Sequence, residues 1–183
     1  AEHPDAFLLD GYDTIGHPAL RARVAERYTR RGLPTAPEQI MVTLGAQHAI
    51  FLIARTLLRR GDRSLVASPR YPHAREALAS AGALVAELPV GADGYDAASI
   101  LEIASRTSAR LAYLIPDHHN PTGLSMPPEL RERLITNLAE QGTYVIADET
   151  TAELVLGEPR DVLPFAASAT QPRSRRGSAS SVR

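Results

Sequence analysis

Five short apolar runs alternate with segments of helical period along most of the chain, and no other feature so narrows what it can fold into. The runs are "QIMVTL" (39–44), "SLVAS" (64–68), "ALVAELPV" (83–90), "RLAYLIP" (110–116) and "TYVIADE" (143–149). Runs that stay apolar without alternating read as strands covered on both faces, the condition of a parallel sheet. Between them lie helices with clear punctuation. "PALRARVAERYTRR" (18–31) opens on proline and stops before Gly32, with Leu20, Val24 and Tyr28 on one face. "AQHAIFLIARTLLRRG" sets Ile50, Ile53, Leu57 and Leu58 on one side and closes at Gly61. "HAREALASAG" (73–82), "DAASILEIAS" (96–105) and "PPELRERLITNLAEQG" (127–142) complete the set. Strand and helix in strict alternation predict an α/β domain, a mostly parallel sheet between helices on both faces.

The pattern stops near residue 165. "AASATQPRSRRGSASSVR" (166–183) has neither period and is rich in Ser, Ala and Arg, so it is expected to be a disordered tail. The rest bounds the class. Hydrophobic residues make up 44% and the formal net charge is −1, which suggests neither disorder nor a polyanionic partner. The sequence contains no cysteine, which excludes thiolate catalysis and cysteine metal sites. All 20 of its basic side chains other than histidine are arginine, so it contains no lysine. The arginines scatter over helix faces, where solvation is the expected role. No apolar run approaches the ~20 residues of a membrane span, and no signal peptide is visible; a cytoplasmic protein is expected.

Candidate chemistry gathers where strands give way to helices, the end of an open α/β sheet at which ligands bind. "TLGAQ" (43–47) opens a helix through Gly45, Ala46 and Gln47, leaving backbone N–H groups where the helix dipole favours an anion; a plain glycine turn is the alternative. "SPRYP" (68–72) holds Tyr71 between prolines, either as a stacking surface or as a packed loop residue. Asp148 stands at the end of a strand, free to pair with a ligand cation or to cap the next segment. "DHHNPTG" (117–123) leaves a buried strand through two histidines, an Asn-Pro bond and a glycine. Pro121 and Gly123 suit a turn, but a turn does not call for Asn120. Competing motifs fail: GxxxxGK, GxGxxG and GxSxG are absent. His118 and His119 are adjacent rather than at ligand spacing, so no metal site is expected.

In order and at these intervals the junctions resemble the class I/II aminotransferases, the fold-type I enzymes dependent on pyridoxal phosphate. The resemblance runs from about Gly11 to Gly157: "GYDTIGHPALRARVAERYTRRG" matches the opening segment, "VTLGAQHAI" the phosphate loop, and "HNPTG" and "ADETTAEL" the most specific signatures. The wording of the last two is especially similar to the aminotransferase-like domain of MocR-type GntR regulators, which carry an N-terminal winged helix with no counterpart in these residues. The resemblance implies the three-layer large domain of that family, incomplete at the C-terminus, over residues 1–165. It also implies pyridoxal phosphate as cofactor, an amino-acid or amine ligand and a homodimer. Gly45, Ala46 and Gln47 would hold the phosphate, Tyr71 would stack on the pyridine ring, and Asn120, next to a peptide bond usually cis in the family, would bind the phenolic oxygen. Asp148 would bind the ring nitrogen, and Tyr12 would reach the phosphate of the partner subunit. Nucleic acid would be a partner only through an upstream winged helix.

The departures carry their own expectations. A tyrosine three residues after the ring aspartate is frequent in the family; Thr151 stands there. The family's Schiff-base lysine has no counterpart, so any cofactor is expected to bind non-covalently and the 183 residues are expected to be inactive in transamination as they stand. The match ends near "DVLPFAA", as in a fragment or a frameshifted reading of a longer gene. In the family two later strands separate the first strand from that at 110–116, so a gap in the sheet is expected beside it. Three functions stay open: an aminotransferase acting on amino acids, an effector domain of a MocR-type regulator, and an inactive remnant.

Overall fold

The computed structural model describes residues 13–69, 71–92, 94–155 and 163–169. Helix α1 (Pro18–Arg30) leads through a 3-10 turn (Pro37–Gln39) to α2 (Ala46–Leu57). There follow β1 (Arg63–Ser68), α3 (Pro72–Ser80), β2 (Leu84–Pro89), α4 (Ala97–Thr107), β3 (Leu111–Leu114), α5 (Pro128–Glu140), β4 (Tyr144–Ala147) and a 3-10 helix (Phe165–Ala169). Proline begins α1, α3 and α5, where its missing N–H costs no bond. Asp96 caps α4 by accepting from the amides of Ala98 and Ser99, and these bonds, that of Ser99 first, hold its carboxyl below the usual range. Among the described residues no helix is long and apolar enough to cross a membrane.

The four strands form one parallel sheet in the order β2-β1-β3-β4. Pleating sends successive side chains to opposite faces, and both faces are covered. Leu65, Ala112 and Leu114 pack with Ile100 and Ala104 of α4 and Leu130, Leu134 and Leu138 of α5. Val66, Leu111 and Tyr113 pack on the other side with Ile50 and Ala54 of α2 and Ala74, Ala77 and Leu78 of α3. The result is the three-layer α/β arrangement, a part of the fold expected from the sequence.

Several expectations need correction. Residues 39–44 are not a strand: the segment is bound to Ile15 O by the Val42 amide at 2.9 Å, with Met41 54% and Leu44 88% exposed. A strand exists through its partners, and no described strand lies beside this run. Gly16 makes the close approach possible, since a β-carbon there would collide with Val42. The expected gap does not adjoin 110–116, because β1 and β4 flank β3 on its two sides; the open edges belong to β2 and β4. On α1 the buried residue is Ala25, while Leu20 is exposed. The first four residues of the tail expected from 166 belong instead to the 3-10 helix Phe165–Ala169. Phe165 and Ala167 are buried, Phe165 in the α4–α5 core, with its amide bound to Glu149 Oε1 at 2.7 Å. Positions 170–183 lie outside the described residues.

Candidate functional site

The C-terminal ends of β1, β3 and β4 point the same way because the strands are parallel, and the loops leaving them meet the start of α2. There a cleft of about 140 Å³ is lined by Ala46, Gln47, Ile50, Tyr71, Tyr113, Ile115, Asn120, Asp148, Thr150 and Thr151. Five residues singled out in the sequence (Ala46, Gln47, Tyr71, Asn120 and Asp148) are thus brought together from four separate stretches of chain. Gly45 adjoins them as the N-cap of α2, at φ 86°, which a residue with a side chain adopts at a cost. Tyr12 lies outside the described residues.

Each cleft residue is held by its neighbours. Among the described residues no side chain caps the amides that open α2, so the first-turn donors are left unspent where Ala46 and Gln47 line the cleft. The Gln47 side chain turns instead to α3 and donates to His73 O at 3.1 Å. Tyr71 meets the His73 ring edge-on, with centroids 5.0 Å apart. Asp148 continues the sheet pairing through its amide, which donates to Leu114 O at 2.8 Å. Its Oδ2 accepts from the Tyr113 hydroxyl at 2.6 Å and its Oδ1 from the Thr150 amide at 3.0 Å. Burial, then the hydrogen bond to Asp148 and that carboxylate's charge, push the Tyr113 phenol far above its ordinary value. Tyr113 therefore stays a donor and Asp148 is met from two sides.

Asn120 rides on a loop fixed at its base. The Met126 amide donates to Pro116 O at 2.8 Å, closing the loop, and Arg131 of α5 reaches under it. Arg131 donates from Nε to Met126 O at 2.9 Å, from Nη2 to Pro116 O at 3.1 Å, and from Nη2 and Nη1 to the two Asp117 oxygens at 2.5 and 3.1 Å. Solvation is therefore the wrong role for this arginine: it is 9% exposed, and Asp117 is 4% exposed. Inside the loop the His119 amide donates to Leu124 O and the Gly123 amide to His119 O. The buried His119 ring lies 2.9 Å from Thr122 Oγ1, and burial lowers its proton affinity. The Asn120–Pro121 peptide is cis. Among the described residues the Asn120 side chain has no hydrogen-bond partner, although Arg131 and the loop's own amides hold the backbone around it.

Sequence reasoning missed Tyr113, Thr150, Ile50 and Ile115. Tyr113 carried a faint signal: with Leu111 and Ile115 it shares one face of "RLAYLIP", where a phenol among aliphatics needs a polar partner.

The family described as aminotransferase class I and II matches residues 9–173. The 2-aminoadipate transaminase of Thermus thermophilus is 35% identical over 147 residues, 80% of this chain and 36% of that protein. The "Probable rhizopine catabolism regulatory protein MocR" of Rhizobium meliloti is 37% identical over 154 residues, 82% of this chain and 30% of the regulator. The chain thus spans about a third of the length of these curated relatives. Among solved structures, LysN, the alpha-aminoadipate aminotransferase of Thermus thermophilus complexed with N-(5'-phosphopyridoxyl)-L-leucine, superposes with a TM-score of 0.71 at 35% identity, over 80% of this chain and 36% of that one. An aminotransferase from Mycobacterium tuberculosis gives 0.77 at 27% identity, over 90% of this chain and 46% of that one. By sequence and by fold, the chain belongs to the class I and II aminotransferase family.

Proposed function

We propose that these residues form the pyridoxal-phosphate-holding part of an aminotransferase acting on amino acids. The observation that carries the proposal is the cleft itself. Around it stand uncapped helix amides, an aromatic ring, an amide side chain with no partner and a carboxylate, which is the donor set that phosphate, pyridine ring, phenolic oxygen and ring nitrogen would require. The amides of Ala46 and Gln47 bind the phosphate, helped by the α2 dipole. Tyr71 offers its ring face, and Asn120 donates to the phenolic oxygen and favours its ionised form. Asp148, held by Tyr113 and Thr150, accepts from the protonated ring nitrogen. Bound so, pyridoxal phosphate supplies an electron sink for a carbanion formed beside an amine. None of the 183 residues is a lysine, so they hold the cofactor without a covalent bond to a side chain. Tyr12 reaches the phosphate of a partner subunit in a homodimer.

The test is a titration with pyridoxal phosphate followed by circular dichroism of the cofactor band. An induced band is expected, with affinity at least about tenfold weaker in Asp148→Asn, since a hydrogen bond between charged groups is worth roughly 1.5–3 kcal/mol. A band that never appears in the unaltered chain overturns the proposal. A borohydride-trapped adduct on an internal residue overturns non-covalent binding.

A second reading is an effector domain that senses an amine through the same cofactor, and the 37% identity to the MocR regulator favours it. Amino acid and keto acid added to the full-length protein separate the two. Amino-group transfer supports the enzyme, and a changed band without transfer supports the sensor.

A further inference from the structure

Asn120 and Asp148 reach the cleft from different loops, one after β3 and one after β4. Backbone pairing of the strands fixes the strand ends, with the Asp148 amide on Leu114 O at 2.8 Å. It does not fix the loop beyond Pro116, where Asn120 sits four residues farther on. Among the described residues one side chain spans the two loops. Thr151 lies three residues after Asp148, and its hydroxyl donates to Asp117 O at 2.9 Å, with His118 O at 3.4 Å beside it. Those carbonyls are the first two of the Asn120 loop. Its far side is held by Arg131, through Pro116 O, Met126 O and the Asp117 carboxylate. The loop is therefore gripped from α5 below and from the Asp148 loop beside it, and Thr151 is the direct bond between the two segments that carry cleft groups.

We propose that Thr151 is a positioning residue, whose hydroxyl sets Asn120 relative to Asp148 before any ligand arrives. The inference rests on the proposed cofactor site for its purpose, and on the hydrogen bonds alone for its mechanics. The chemistry explains why a threonine suffices. A short hydroxyl at this position can donate to a carbonyl one loop away while its residue still lines the cleft. A hydroxyl points to one acceptor at a time, so the 2.9 Å carbonyl of Asp117 takes the proton and that of His118 stands by as the alternative. The Thr151 amide segment is itself fixed, since Leu154 N donates to Thr151 O and Ala152 N to Glu149 O. Glu149 in turn is bound by Phe165 N and lies 3.7 Å from Arg31. The anchor is thus tied back to α1 and to the C-terminal 3-10 helix, and displacement of the Asn120 loop meets resistance from outside the cleft.

Thr151→Val keeps shape and removes the donor; Thr151→Ser keeps the donor and removes the methyl group. Amide hydrogen exchange in the unliganded protein reads the bond directly. Thr151→Val is expected to speed exchange at the His119 and Gly123 amides about tenfold, the scale of one net hydrogen bond, with the amides of β1 and β3 unmoved and Thr151→Ser restoring protection. Affinity for pyridoxal phosphate is expected to fall severalfold in Thr151→Val and to return in Thr151→Ser. Unchanged exchange in the loop overturns the proposal, as does an equal rise across the sheet or a serine that fails to rescue. If the unaltered chain binds no cofactor, the functional proposal falls, while the exchange pattern still decides whether Thr151 joins the two loops. Thr151→Ala replaces the valine variant if the latter does not fold, and the same criteria apply to it.

Discussion

Arg131→Met isolates what the buried clamp under the Asn120 loop contributes. The guanidinium makes four hydrogen bonds, two to the Asp117 carboxylate and one each to Pro116 O and Met126 O. Methionine fills most of the space along the aliphatic stem and supplies no donor, so the change strands a carboxylate that is 4% exposed, together with Met126 O. At roughly 1.5–3 kcal/mol for each bond to a charged group, four bonds would come to about 6–12 kcal/mol. That overstates the effect, because Pro116 O keeps its bond from the Met126 amide and the loop can admit water. Removal of one member of a buried pair typically costs about 3–5 kcal/mol, a large share of the roughly 5–15 kcal/mol that holds a domain folded. With a urea dependence near 2 kcal/mol per molar, the unfolding midpoint should fall by about 2 M.

The partner makes the reasoning refutable. If the main cost is a stranded charge, neutralising it as well must help. Asp117→Asn in the Arg131→Met background should recover about 1–2 kcal/mol, so that the two changes cost less together than their sum, as touching residues do. Urea unfolding of the two single variants and the double variant measures it. A loss below about 1 kcal/mol in Arg131→Met, or two losses that simply add, would show that the pair does not hold the loop.

Two further outcomes follow from the titrating groups. The Tyr113 phenol is pushed up by burial and by Asp148, so its stabilising contribution is complete below the ordinary value of 10.0 and is lost as pH rises above it. Tyr113→Phe should therefore cost about 1.5–3 kcal/mol at neutral pH and flatten the alkaline fall in stability, as read from urea midpoints at pH 7 and above pH 10. His119 has its proton affinity lowered by burial, so the unfolded chain takes up a proton first as pH falls below 6.5 and stability declines from that point. His119→Gln should make the midpoint less sensitive to pH between neutrality and pH 5, and an unaltered slope would contradict it.

How much of this was legible follows from which features are local. Strands β1 and β3 could be read because a strand covered on both faces must be apolar at consecutive positions, the edge strands β2 and β4 because their runs are apolar too, and the helices because proline and glycine mark their ends. Residues 39–44 satisfied the same rule and still form no strand, since pairing is supplied by other segments and leaves no trace in the run itself. In the cleft, Asn120 and Asp148 stood out as polar groups where a buried strand ends. Tyr113 did not, because a phenol within an apolar strand reads as core until its partner, 35 residues later, is placed beside it. Arg131 was hidden for the converse reason: an arginine on a helix looks solvated, and only the return of the 116–126 loop over α5 buries it. Thr151 registered as a missing tyrosine, and what it does instead depends on two carbonyls more than 30 residues earlier.

The polar groups around the cleft divide into those already spent and those left over. Asp148 has one bond on each oxygen, Gln47 has given its side chain to His73, and Thr151 has given its hydroxyl to the Asn120 loop. These bonds form within the chain, so their ordering entropy is met on folding and not on binding. Among the described residues, what remains includes the uncapped amides of α2, the side-chain amide of Asn120, the hydroxyls of Tyr71 and Thr150 and the second lone pairs of the Asp148 carboxylate. The remainder is suited to a ligand with an anion at one end and a cationic N–H at the other. It would not suit a wholly apolar ligand, which would strand the Asn120 amide and the first-turn donors away from water at about 1–3 kcal/mol each. The spent groups make the cleft rigid and the unspent ones make it selective, and the same division predicts that substitutions should sort accordingly. Changes at Arg131 and Thr151 should alter loop protection before any ligand is added. Changes at Asn120 should leave protection intact and appear only when the ligand is present.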